Sequence, residues 1–129
     1  MIGVDTNVLV RLLTRDDPVQ TAKADTVFRK ASLFISETVL LETEWVLRYA
    51  YALPPESIYK AFFKLCGLPN VTLSNPIRMR TALEWYSEGM DFADALHLAL
   101  CQDCREFFTF DLKLIRKAQN HGRCKVIEP

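Results

Sequence analysis

No charge of either sign dominates this sequence. Its 129 residues carry 16 basic and 16 acidic side chains and are formally neutral, so it lacks the global positive field by which a non-specific nucleic-acid binder attracts its ligand. Long apolar runs are missing too. No stretch approaches the roughly twenty residues that span a bilayer, and Met1-Ile2-Gly3-Val4-Asp5 has neither the basic start nor the apolar core of a secretory signal. The expectation is a cytoplasmic protein without membrane association. Repeats, low-complexity tracts and flexible linkers are also absent. With 50% hydrophobic and 25% charged residues, the composition is that of a folded chain, and its length suits one domain covering residues 1–129.

Neutrality overall leaves room for local imbalance. Between Arg105 and Lys125, six basic residues (Arg105, Lys113, Arg116, Lys117, Arg123 and Lys125) face only Glu106 and Asp111. This is either a solvated face or a track for an anionic ligand. The cysteines offer a second choice. Cys101 and Cys104, with His121 and Cys124, have the outline of a zinc ribbon. Ligand pairs of that kind sit on tight knuckles, whereas Asp94 to Cys101 reads as continuous buried helix. Reduced, packed thiols are therefore the expected state.

Short β-branched segments alternate with helical ones, the pattern of a parallel sheet covered on both faces. Strands are expected at Ile2 to Asp5, Leu33 to Ser36, Val71 to Leu73, Phe107 to Thr109 and Lys125 to Ile127. Helices fall between: Thr6 to about Arg15, from Asp17-Pro18 onward, Thr38 to Ala52, Pro55 to Cys66, Pro76 to Ser87, Asp91 to Cys104 and Leu112 to Asn120. The fold class is α/β, with a parallel central sheet of about five strands. Such sheets build their sites at the carboxyl ends of the strands, where Asp5 and Asp111 stand.

Each acid has a plain structural role available. Asp5 and Asp111 can cap the helices that follow them, and Asp91-x-x-Asp94 resembles a capping box. Glu42 differs. On a helix from Thr38 to Ala52, Glu44 and Arg48 make a solvated i, i+4 pair, while Glu42 shares its side with Val39, Val46 and Tyr49. A carboxylate on an apolar stripe needs a partner. A buried hydrogen bond or a divalent cation would both serve. Clustered carboxylates suit Mg²⁺ or Mn²⁺, hard ions that bind oxygen, and the reaction most consistent with such a pocket is phosphodiester hydrolysis.

These residues fall into an ordered set. Val4-Asp5-Thr6-Asn7-Val8-Leu9, Glu42 within Ser36 to Leu47, Asp91-Phe92-Ala93-Asp94-Ala95-Leu96-His97 and Phe108-Thr109-Phe110-Asp111 resemble, in sequence order, the four motifs of PIN-domain ribonucleases. Length and the Asp-Phe-Ala-Asp-Ala-Leu-His stretch are most similar to VapC toxins of bacterial toxin–antitoxin pairs. The resemblance implies a metal-dependent endoribonuclease in which Asp5, Glu42, Asp94 and Asp111 share a Mg²⁺ or Mn²⁺ site. Asp5 and Asp94 would be the principal ligands, and Glu42 and Asp111 would act directly or through water. It implies hydrolysis by an activated water, leaving 5′-phosphate and 3′-hydroxyl ends. Thr6, Asn7 and Thr109 would be supporting hydrogen-bonders, or simply helix and turn caps. Arg11, Lys113, Arg116 and Lys117 are candidates for substrate binding, with Arg11 meeting either phosphate or an acidic neighbour. His97, one turn past Asp94, reads as a packed histidine. Expected partners are RNA, with tRNA among the candidates, a VapB-like antitoxin and a second copy of the chain. The aromatic region Trp45, Tyr49, Tyr51, Phe62 and Phe63 exceeds what one small core requires and suggests an interface.

Two rival readings fit less well. A receiver-like signalling domain needs paired acids after its first strand and an aspartate after its third. Here Asp5 stands alone and Val71-Thr72-Leu73-Ser74 contains no acid. A haloacid-dehalogenase-type phosphatase needs a second aspartate where Asn7 stands. An inactive PIN-like RNA-binding module is the remaining alternative, and the presence of all four acids argues against it.

Overall fold

A computed structural model describes residues 1–129. The backbone gathers into two compact units, Met1–Pro76 and Ile77–Pro129. In the first, a short strand β1 (Ile2–Gly3) leads into α1 (Thr6–Thr14) and α2 (Pro18–Lys30), then β2 (Leu33–Ile35), α3 (Glu37–Tyr49), α4 (Pro55–Cys66) and β3 (Val71–Leu73). The second holds α5 (Pro76–Ser87), α6 (Phe92–Leu100), β4 (Glu106–Phe108), α7 (Leu112–Ala118) and β5 (Lys125–Ile127).

All five expected strands form, and every pairing is parallel, but they do not make one five-stranded sheet. β2 lies between β1 and β3, with Leu33 opposite both Ile2 and Val71, and β4 pairs separately with β5. The strands are only two or three residues long, so each ladder has few hydrogen bonds and most stabilisation comes from helix packing. In the first unit, α1 packs on α2 and α3, and Leu9, Leu33, Ile35, Leu40, Leu47, Ile58 and Phe62 are buried almost completely. Each such side chain stabilises the fold by about 2 kcal/mol before entropy is subtracted. In the second, Met79, Ala82, Phe92, Ala95, Leu98 and Ala99 play the same part.

Helix starts follow local chemistry closely. Asp17 accepts from Gln20 N at 3.0 Å with Pro18 next, and Ser36 accepts from Val39 N at 3.3 Å; each satisfies an amide with no helical partner. Helix ends are earlier than the periodicity suggests. α3 stops at Tyr49 instead of Ala52, α7 at Ala118 instead of Asn120, and α6 at Leu100 instead of Cys104.

The early end of α6 has a cause. Gln102 is buried; its Nε2 donates to Leu98 O at 3.0 Å, while its Oε1 accepts from Arg123 N at 2.7 Å and from Cys124 N at 3.5 Å. One side chain thus ties the end of α6 to the turn before β5. Gly122 fits beneath it with φ of 75°, and a Cβ there would lie 2.1 Å from Gln102 Oε1. Gly122→Ala is therefore expected to cost roughly 2–3 kcal/mol, combining the left-handed penalty with loss of a buried hydrogen-bonded amide. Thermal denaturation checks this, and an unchanged melting temperature would remove Gln102 from its role as a tie.

Candidate active site

In the first unit, β1 ends at Gly3, and the chain turns so that Asp5 begins α1. The Asp5 side chain accepts from Thr6 N at 2.8 Å and remains exposed to solvent. Its capping role is real, but one amide leaves most of the carboxylate's acceptor capacity free. Thr6 is buried, and its hydroxyl has no hydrogen-bond partner. Asn7 is exposed on the first turn. Arg11 meets an acidic neighbour. Its Nη1 donates to Asp16 Oδ1 and to Tyr51 OH, each at 3.0 Å, and its Nε donates to Gln20 Oε1 at 2.6 Å. Tyr51 OH in turn donates to Asp16 Oδ2 at 2.6 Å. The hydrogen bonds from Tyr51 and then Thr14, with the charge of Arg11 adding to them, hold the Asp16 carboxyl below its usual range. Arg11 joins α1 to its neighbours.

The faces of α3 are reversed from the sequence expectation. Leu40, Thr43, Glu44 and Leu47 are the buried side, and Glu42 is exposed. Glu44 is 1% exposed, with its two oxygens 3.2 Å from Arg48 Nη2 and 3.1 Å from Arg48 Nε. The guanidinium also lies 4.8 Å from the centre of the Tyr49 ring. Glu42 therefore carries no burial penalty, and Glu44–Arg48 is not the solvated pair its spacing suggested. Trp45 and Tyr49 face water, 59% and 62% exposed, with ring centres 5.3 Å apart and planes tilted by 50°, while Val39 and Val46 are half-buried. Phe63 of α4 is also exposed, whereas Phe62 is fully buried and Tyr51 is engaged by Asp16.

In the second unit, Asp91 caps α6, its Oδ2 accepting from Asp94 N at 3.2 Å. Asp111 caps α7, its Oδ1 accepting from Lys113 N at 3.0 Å and Leu114 N at 3.1 Å. Thr109 supports it by accepting from Asp111 N at 3.1 Å. Asp94 caps nothing. It is half-buried, and its carboxyl is pushed above the ordinary carboxylate range, first by burial and then by the charges of Asp91 and Asp111, with His97 opposing weakly. The structure thus brings Asp94, Asp111 and Asp91 into one electrostatic group. From sequence Asp91 reads only as a cap, although its spacing from Asp94 carries the signal. His97 is exposed, not packed. Lys113 and Arg116 are exposed without ion pairs, and Lys117 donates to Gly89 O.

The donor chemistry at these acids fits a hard divalent cation: the donors are all oxygen, and burial and two like charges disfavour Asp94's own charge. The side chains as they stand do not form a group of three or more Asp, Glu, His or Cys poised around one point. Waters would have to complete the shell, as is usual for Mg²⁺. The cysteines and His121 do not form such a group either. Cys101 to Cys104 is a turn, closed by Cys104 N to Cys101 O at 2.8 Å, and Cys104 is exposed where a packed thiol was expected. His121 is held by Glu88 at 2.6 Å and edge-on to Trp85. Burial pushes the Cys66 thiol up to about 11, which keeps it protonated and unreactive at neutral pH.

The PIN domain family matches residues 2–120, nearly the whole chain and both units. The chain belongs to the PIN domain family. Its α/β architecture with parallel strands is that of the family, and PIN domains are typically nucleases that use divalent metals. No curated relative gives a significant match. No helix is long and apolar enough to cross a membrane.

Proposed function

We propose that this PIN domain is a metal-dependent endoribonuclease, with Asp5, Glu42, Asp94 and Asp111 as its acidic residues, and that it is the toxin of a VapBC-type pair. The observation that carries the reading is Asp94, a half-buried carboxylate that faces two other acids and caps no helix. Such a group is costly to keep unless it meets a cation. Asp5 and Asp94 are assigned as the principal ligands of Mg²⁺ or Mn²⁺, with Glu42 and Asp111 contributing directly or through water. Bound there, the ion would supply Lewis acidity toward a phosphate oxygen and a water. Asp5 and Asp111 contribute through oxygens that their capping bonds leave free, and those bonds fix each carboxylate's orientation. Thr109 orients Asp111, and exposed Lys113 and Arg116 are available to phosphates.

Purified protein is expected to cleave structured RNA, tRNA included, with Mg²⁺ or Mn²⁺ and to stop when the ion is chelated. Cleavage that continues in excess chelator would overturn the metal-dependent mechanism. The toxin reading adds an antitoxin encoded beside this gene and a homodimer, with the exposed Trp45, Tyr49 and Phe63 as contact surface. Light scattering that finds only a monomer, alone and with the neighbouring gene product, would contradict it.

A further inference from the structure

The turn after α6 carries a pair of thiols that RNA cleavage does not use. Cys104 N donates to Cys101 O at 2.8 Å, and a turn closed in this way keeps the Cα atoms of its end residues within about 7 Å. A disulfide spans roughly 4.4–6.8 Å between Cα atoms. The two side chains already meet, since the Cys101 thiol hydrogen-bonds with that of Cys104. The residues between them hold the turn in place. Gln102 is buried and tied to Leu98 O, Arg123 N and Cys124 N, and Asp103 accepts from Arg78 Nη2 at 2.8 Å. Closing the pair therefore moves side chains and leaves the backbone where it stands.

Access gives the two thiols different roles. Cys104 is exposed and Cys101 half-buried, whereas Cys124 is 4% exposed with its amide held by Gln102. Burial pushes the Cys101 and Cys124 thiols up, so neither is the group that meets a reagent first. We propose that Cys101 and Cys104 are a dithiol that a small-molecule disulfide oxidises, with Cys104 attacking the reagent, Cys101 closing the bond and Cys124 staying reduced. The Cys104 thiolate attacks one sulfur of the reagent, whose S–S bond breaks and releases a first thiolate. The Cys101 thiolate then attacks Cys104 Sγ, and the second reagent thiolate leaves. Two protein thiols are oxidised to one disulfide, the reagent is reduced to two thiols, and the two protein protons pass to them. The pair stands apart from the acids, since Asp94 lies on the first turn of α6 and the cysteines lie past its last.

In the test, the full chain is freed of reductant and treated with oxidised glutathione, and its mass is read intact and again after alkylation in denaturant and trypsin. The folded protein should lose two hydrogen atoms. The peptide from Thr81 to Arg105, which holds both thiols, should carry that loss, with Cys66 and Cys124 alkylated. Cys101→Ser should halt one step earlier, heavier by one glutathionyl group on Cys104. Cys104→Ser changes an exposed residue, so the fold should persist, and it should stay unmodified. Because the turn is already built and a cross-link restricts the unfolded chain, the oxidised protein should melt no lower than the reduced one. A bond from Cys104 to Cys124 or Cys66, a mixed disulfide that never resolves in the parent, or an oxidised protein that melts below the reduced one would each overturn the pair. RNA cleavage by the reduced protein is scored separately, so its failure counts against the nuclease reading and leaves the thiols untouched.

Discussion

Asp94→Asn is expected to abolish RNA cleavage, by on the order of a hundredfold or more, while the metal-free protein melts no lower than the parent. Asparagine keeps the shape and removes the charge. In the parent that charge is disfavoured by burial and by Asp91 and Asp111, so its removal relieves repulsion. The sign of the pH dependence follows. The folded-state pKa of Asp94 lies above its ordinary value, so its carboxyl favours folding below that ordinary value and loses the advantage as pH rises through the folded pKa. Parent and variant should therefore be equally stable in acid, where Asp94 is neutral in both folded and unfolded chains. The variant should pull ahead as pH rises toward neutrality. Added Mg²⁺ or Mn²⁺ should raise the parent's melting temperature and the variant's much less, because a ligand that binds only folded protein stabilises it. Glu42→Gln separates function from architecture. Glu42 is exposed, so stability should stay within about 0.5 kcal/mol while cleavage falls. Normal cleavage by Glu42→Gln would remove Glu42 from the site, and normal cleavage by Asp94→Asn would remove the site altogether.

The elements of this chain were legible because their signals are local. Asp17-Pro18 states a helix start in two residues, and Val71 to Leu73 is a strand bounded by turn residues. The division into a three-stranded and a two-stranded sheet was not legible, since strand pairing is a long-range choice that short segments do not encode. The same holds for α3. Periodicity shows that a helix has two sides without saying which is covered, and the stripe of Val39, Val46 and Tyr49 reads as the core side. Here Trp45 and Tyr49 lie outside, and a carboxylate–guanidinium pair lies inside. An exposed aromatic stripe and a buried one have the same spacing, so only packing tells them apart. The capping role of the acids at helix starts is legible in their spacing, and capping at Asp5 and Asp111 leaves oxygens over for other work. Asp94 is picked out by its motif, but its perturbation is not legible there, because it comes from burial and from Asp111 on another element as well as from Asp91.

Glu44→Leu is expected to destabilise the protein by about 3 kcal/mol, the low end for breaking a buried ion pair because Arg48 keeps 27% exposure. For a chain of this size that lowers the melting temperature by roughly 10 °C. The loss has two parts. The Arg48 guanidinium, lying against Tyr49, loses the Glu44 carboxylate that it meets at 3.1 and 3.2 Å. Leucine also brings a branched side chain where a flat carboxylate lay beside Thr43 and Leu47, both nearly inaccessible to solvent. Replacing both partners, Glu44→Leu with Arg48→Met, should recover part of the stability, because an apolar pair of similar volume brings no charge to be offset. Below its melting point the double variant should cleave RNA at the parental rate per folded molecule, since the acid on the exposed side of α3 is Glu42. The informative failure is the reverse: a Glu44→Gln protein that melts with the parent yet has lost cleavage would make Glu44 the acid that α3 contributes, and Glu42 a surface residue.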